Sequence, residues 1–402
     1  MKTSPRVKHP RLKSVSLLIA LVQMGFALAV PRLLRAQTWE TPPTPQPAGG
    51  SIACSQDGRS LFTTVGDGFK YLYESTNAGD SWTNPISHFI GPVACSGDGA
   101  KVAVPIGSSV LISTNKGQSF VTNYTGGNAF YAVWSQAGNM LALLNTESVW
   151  LTTNLGATWT KPPAMQSNDW EFLAISGDGR TIVAAVQSYA IGLLRISTNS
   201  GVSWADAAVT NRYFGPVACT ADGSRIYGVV ADVNTGLIMS EDFGRTWSYA
   251  NIAVVPEGER GIILSLACSE DGSLVAGKLE SYSQSGAMIS RNFGASWIMD
   301  PPNNGISEVT CSADGTLLMG SADQIILQYL APPLYVASSG VQLTLSWPAP
   351  SSQYTLQQIS DLGSTNWLAV TNAITVTNYR NQVTLPAPAH GNVFYRLNGP
   401  GS

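Results

Sequence analysis

Between about residue 50 and residue 330 the chain alternates apolar segments of four to six residues with turn residues. Runs this short suit strands better than helices. One unit shows the pattern, with extended segments at Pro92 to Ser96, Lys101 to Pro105, Ser109 to Ser113 and Ser119 to Tyr124, separated by Asp, Asn, Ser and Gly. The spacing predicts four short strands per unit. Two turns punctuate every unit. The first reads S-x-N-x-G-x-x-W and starts at Ser75, Ser113, Thr152, Ser197, Ser240 and Ser290, ending on Phe120 in the second copy and on Trp in the others. The second reads C-S-x-D-G and starts at Cys54, Cys95, Trp134, Ile175, Cys219, Cys268 and Cys311. A beat of roughly 40 to 50 residues marks a propeller, solenoid or array.

Six copies of one turn against seven of the other predict how the repeat closes. The seventh unit runs through Tyr329 without a Trp-ended turn, while Trp39 precedes Cys54 by 15 residues, as Trp204 precedes Cys219. Residues from about Thr38 to Thr41 are therefore expected to complete the last sheet. Closing the ring removes the unpaired edges that invite aggregation. The rhythm breaks at Ala331-Pro332-Pro333, and the remainder alternates like a small antiparallel sandwich. The expected fold class is all-β: a seven-bladed β-propeller (37–330) closed by an N-terminal strand and followed by a small C-terminal β-sandwich (331–402).

In the Trp-ended turn the Ser or Thr and Asn side chains can bond local backbone amides, and Gly accepts a positive φ. Asp242 replaces Asn in one copy, so the residue serves geometry rather than charge. The motif resembles the Asp-box, or BNR, repeat of β-propellers over nearly all of residues 38–330. That group includes sialidases, xyloglucan-degrading hydrolases, sortilin-type receptors and the photosystem II assembly factor family, of which the short seven-bladed ring looks most like the last. The resemblance implies fold and leaves activity open, because one turn serves enzymes, receptors and assembly factors.

Composition adds the compartment. Basic residues precede an apolar run from Val15 to Val30 and small residues that suit cleavage, so residues 1–36 read as a signal peptide and the protein as exported: secreted, periplasmic or at the cell surface. Membrane contact is expected only through an uncleaved signal. Removing that segment leaves 15 basic residues against 25 acids, which disfavours nucleic acid and nucleotides as partners. All five cysteines occupy one position of the repeat, which predicts buried small apolar residues rather than disulfides. No metal-ligand cluster or phosphate loop appears, so no metal and no cofactor is expected.

Strand alternation puts both turn types on one face of the ring and the variable loops on the other, where recognition residues usually lie. The ligand-binding candidates on the variable face are Asp67, Phe130, Asp169, Trp170, Glu171, Arg212, Tyr213, Arg260, Glu280, Tyr282 and Asp323. Rings, amides and carboxylates of this kind suit a polysaccharide or a protein loop; the plainer reading is that the aromatics plug the blade ends. Sialidases resemble one another in three arginines that grip a carboxylate, and only Arg212 and Arg260 fall on this face. A glycoside hydrolase would need only a carboxylate pair. The expectation is a monomeric, non-catalytic binder of protein or polysaccharide, with a glycoside hydrolase, sialidase-like or other, as the alternative.

Overall fold

The computed structural model describes residues 39, 41–42, 50–65, 70–89, 91–145, 148–165, 170–186, 192–209, 213–231, 235–250, 252, 261–300, 305–321, 325–339, 341–349, 351, 354–386 and 393–399. The expected signal peptide lies outside them. Among the described residues no helix is long and apolar enough to cross a membrane.

Seven antiparallel sheets follow one another between Ile52 and Tyr329, five of four strands and two of three. In sheet 1, strands β1 (Ile52–Cys54), β2 (Leu61–Val65), β3 (Lys70–Ser75) and β4 (Thr83–Phe89) pair in chain order. In sheet 3 a single bridge, Leu151 to Thr160, stands where the fourth strand runs elsewhere. The second strand of each sheet is covered on both faces, so it reads as a continuous apolar run: Leu141 to Leu144 and Ile182 to Ala185 have no exposed surface.

The repeated turns are built as their residue types dictate. Ser75 Oγ accepts the Gly79 amide at 2.8 Å and donates to Asn77 Oδ1, which also accepts the Ser81 amide at 3.0 Å. Asp242 makes the same bonds, from the Thr246 amide and from Ser240. The residue before the glycine is left-handed as well: Ala78, Lys116, Leu155, Ser200, Phe243 and Phe293 all have φ between 58° and 63°. In the Asp-Gly turn, Ser55 Oγ donates to Asp57 Oδ1 and accepts the Ser60 amide, and Gly58 takes the positive φ. The Ala78 amide reaches Arg59 O at 2.9 Å, so both turns share one face.

The Asp-Gly turns link the sheets through one residue each, except in sheet 3, where Gln136 accepts and Ala137 donates. The Gln56 amide donates to Gly97 O, Gly97 to Gln136 O, Ala137 to Gly177 O, Gly177 to Ala221 O, Ala221 to Glu270 O, Glu270 to Ala313 O, and Ala313 back to Gln56 O, all at 2.7–3.0 Å. The circle returns to its start. Each turn-ending aromatic then fills the seam with the preceding sheet: Trp82 packs with Leu61 and with Leu317 and Leu327 of sheet 7, and Trp297 with Val275 and with Tyr227 of sheet 5. Trp39 occupies the corresponding seam between sheets 6 and 7, against Ala276, Ile289, Leu318 and Ile326.

After Leu330 two further antiparallel sheets, one of four strands and one of three, share a core of Leu345, Trp347, Leu356, Val383 and Leu385. They dock on the turn face. Arg380 pairs with the buried Asp271 at 3.1 Å and lies over the rings of Tyr335 and Phe293, and Ser351 Oγ donates to Asp314 Oδ2 at 2.8 Å.

Candidate functional site

The innermost strands surround an axial channel, and position in the repeat decides which end a residue lines. Three residues before the cysteine position stand Ser51, Pro92, Tyr131, Phe172, Pro216, Ser265 and Glu308. Five of these line one cavity of about 310 Å³ at the variable-loop end: Tyr131, Phe172, Pro216, Ser265 and Glu308. Leu264 and Leu266 add apolar wall. The Glu308 carboxylate reaches across the junction to sheet 1, accepting the Ile52 amide at 3.3 Å and the Ser51 hydroxyl. Burial outweighs those bonds and pushes Glu308 up to about 7. Burial, with a smaller push from Glu308, raises the Tyr131 phenol well above its usual range. Among the described residues the cavity thus combines aromatic and aliphatic walls with one carboxylic acid whose titration range reaches neutral pH.

At the turn end the equivalent column is Gln56, Gly97, Gln136, Gly177, Ala221, Glu270 and Ala313. These side chains close the axis. Gln56 Nε2 donates to Glu270 Oε1 and lies 3.3 Å from Gln136 Oε1. Desolvation raises Glu270 to about 7 against the bond from Gln56. Tyr379, at the tip of a hairpin of the C-terminal module, lies over this end, its phenol raised by burial and by the Glu270 charge.

The sequence-predicted site residues are placed unevenly. Asp67, Asp169, Arg212, Arg260 and Asp323 lie outside the described residues, and Tyr213 is described only as the start of a strand. Phe130 and Glu280 are exposed at strand ends, Tyr282 stands 98% exposed on a hairpin tip, and Glu171 is half-buried. Trp170 needs a correction as a ligand-stacking candidate. Its ring is 2% exposed in the core between sheets 3 and 4, and its indole donates to Met165 O at 3.2 Å, so burial rather than recognition fixes it. Glu308 and Phe172 were missed. Aligning the column three residues before each cysteine would have found both, because that column points into the channel.

The five cysteines are free. Burial holds Cys54 and Cys219 up at about 12, so they are thiols without nucleophilic character. Among the described residues no group of three or more His, Cys, Asp or Glu is arranged to hold a metal ion.

No family model and no curated protein matches the sequence. Solved structures do match. A GH74 xyloglucanase from Xanthomonas campestris superposes with a TM-score of 0.58 at 12% identity, over 77% of this chain and 59% of that one. The chain therefore spans under two thirds of that enzyme's length. YCF48 from Cyanidioschyzon merolae gives 0.55 at 14% identity, over 73% of this chain and 98% of that one. The β-propeller domain of Myceliophteria thermophila Cps50 gives 0.54 at 13%, over 73% of this chain and 100% of that domain. The fold is a β-propeller. At these identities the likeness carries fold alone, and the neighbours include both a hydrolase and proteins whose names state no catalysis.

Proposed function

We propose that the chain is an exported, seven-bladed propeller of the Asp-box type that binds a protein or polysaccharide at its variable-loop face without catalysing a reaction. In this reading the segment around Trp39 completes the seventh blade, the residues after 331 form a sandwich module, and the axial cavity beside Glu308 belongs to the recognition surface. The observation that carries the binding reading is the chemistry of that cavity. Tyr131 and Phe172 offer ring faces and Glu308 is its one carboxylic acid among the described residues. Hydrolysis of a glycosidic bond calls for two carboxylates, ~5–10 Å apart.

A glycoside hydrolase remains the second reading, favoured by one feature: an acid held near 7 is what protonation of a leaving group requires. Incubation with a panel of polysaccharides and sialosides separates the two. Binding weakened by Phe172→Ala, with no release of reducing sugar, is the expected result. Sugar release abolished by Glu308→Gln would overturn the non-catalytic assignment.

A further inference from the structure

The left-handed position before the glycine of each Trp-ended turn carries Ala78, Lys116, Leu155, Ser200, Phe243 and Phe293. The two aromatics meet different fates. Phe293 is covered by the chain itself: Arg225 lies 4.6 Å from its ring centroid, Arg380 of the C-terminal module 5.5 Å, and Tyr335 6.3 Å. Phe243, one sheet earlier, has no such cover among the described residues and is 38% exposed.

Phe243 sits at the turn-face end of a groove along the outer seam between sheets 4 and 5. Two adjoining cavities of about 320 and 470 Å³ form it, sharing Ala208 and Arg245. Among the described residues the outer strand of sheet 4 is only Ala205–Asp206 and is followed by the small residues Ala207, Ala208 and Val209, which leave the flank of sheet 5 open. Tyr249, 57% exposed, stands beside Gly236 in one cavity, and Trp204 and Phe243 line the other. Arg245 stands between them, and among the described residues its guanidinium has no hydrogen-bond or ionic partner. Asp206 is held by Arg195 Nε at 2.6 Å through one carboxylate oxygen, which leaves the other for a ligand.

We propose that this rim groove is a second binding site, distinct from the axial cavity, and that it takes a polysaccharide chain. Sugar rings present C–H faces that stack on aromatic rings, and hydroxyls that pair with planar groups such as guanidinium and carboxylate. Tyr249 and Phe243 supply the ring faces; Arg245 and Asp206 supply the planar groups. A peptide strand fits less well, because strand addition needs an exposed edge of several residues and the edge here is two residues long. An amphipathic helix asks for a mostly apolar groove, whereas Ser203, Asp206, Arg245 and Thr246 line much of this one.

The test is native gel electrophoresis through gels containing soluble xyloglucan, glucomannan, arabinoxylan or alginate, using the purified full chain. At least one polysaccharide is expected to retard the protein, and the double variant Phe243→Ser, Tyr249→Ala is expected to weaken that retardation at least tenfold. Serine already serves at the same turn position in Ser200, so the fold tolerates it, and Arg245→Ala gives an independent variant. Any retardation contributed by the axial cavity is read separately in Phe172→Ala, so the rim site is scored as the further loss on going from Phe172→Ala to the triple variant Phe172→Ala, Phe243→Ser, Tyr249→Ala. If none of the four retards the protein, or the double variant runs like the wild type, the rim site is refuted. Retardation lost only in Phe172→Ala would refute it too, while leaving the axial cavity as a glycan site.

Discussion

The two ends of the channel are built from columns of the same repeat five residues apart, yet one is sealed and the other open. At the turn end the column holds glycine, alanine and three amide or acid side chains that bond one another across the axis, under a circle of backbone hydrogen bonds and a docked module. At the loop end it holds Tyr131, Phe172 and Glu308, which line a cavity instead of filling it. Each end carries one glutamate raised to about 7. Both border a cavity, but Glu270 is 5% exposed and bonded to Gln56, whereas Glu308 is half-buried. Two positions of one repeat thus behave differently: the side chains at one bond to each other across the axis, and those at the other line a cavity.

The sharpest way to disturb this contrast is to uncap the turn end. Arg380→Ala leaves the Asp271 carboxylate buried without its cation, and removing one partner of a buried pair costs about 3 to 5 kcal/mol. Stacking on Phe293 and Tyr335 is lost as well. The variant is expected to release the C-terminal module, seen as protease cleavage near residues 331–334 and as faster exchange of the Ser273 amide, which donates to Asp271 Oδ1 at 2.9 Å. Unchanged cleavage and exchange would mean that Ser351 and the remaining contacts dock the module by themselves.

A smaller but still large effect is expected from overfilling the sealed end. A Cβ on Gly97 would come within 2.7 Å of Gln136 O and 2.6 Å of the Gln56 side chain. Gly97→Val therefore forces the Gly97 to Gln136 link apart, and overpacking of this kind costs about 1–3 kcal/mol. Tyr131→Phe at the open end removes only a hydroxyl, and its denaturation midpoint should stay near wild type. Equal losses at both ends would erase the distinction between a sealed and an open mouth.

How these ends would differ was only partly readable from the residues. Periodicity gave the sheets and the turns because Ser, Asn, Asp and Gly at fixed offsets have local reasons to turn, and the expected bonds form in sheet 1, while in sheet 3 Ala137 stands in the Asp position and Ser135 donates to Asn139 instead. Trp39 was placed by counting from Cys54, and its ring packs between sheets 6 and 7, while among the described residues the seventh sheet has three strands. The cavity was harder to see. Glu308 lies in an ordinary-looking Ser-Glu-Val segment, and only the alignment of inner strands turns it toward the axis. Trp170 failed in the opposite sense: an aromatic flanked by acids reads as a loop residue, but its strand phase points it into the core. The docking of the C-terminal module rests on contacts between residues far apart in sequence, such as Arg380 with Asp271, for which no local pattern exists.

The two glutamates sharpen the comparison through pH. A carboxyl whose folded value is raised binds its proton more tightly in the native state, so its contribution is fully present below the unfolded value near 4.5 and is lost as pH rises towards about 7. Stability should therefore fall between pH 5 and pH 8, by about 2 kcal/mol for the deeply buried Glu270 and by less for the half-buried Glu308. Glu270→Gln is expected to flatten most of this slope, as read from denaturation midpoints at the two pH values. A slope that survives Glu270→Gln but disappears in Glu308→Gln would reverse which end is the drier.

The smallest expected effect lies in the turns, whose regularity makes them the reference for both ends. Asn77→Ala removes the acceptor of the Ser81 amide and the partner of Ser75, at an exposed site where a single bond is worth about 1 kcal/mol. Asn77→Asp should cost little at neutral pH, because Asp242 already holds the same amide in sheet 5. Hydrogen bonds from Thr246 hold Asp242 down at about 2, so its help is present above the ordinary carboxylate value and is lost only as pH falls through that depressed one. An Asp at position 77 should follow the same titration by NMR. A value near that of a free aspartate would show that sheet 1 lacks the turn geometry of sheet 5, although their hydrogen bonds match.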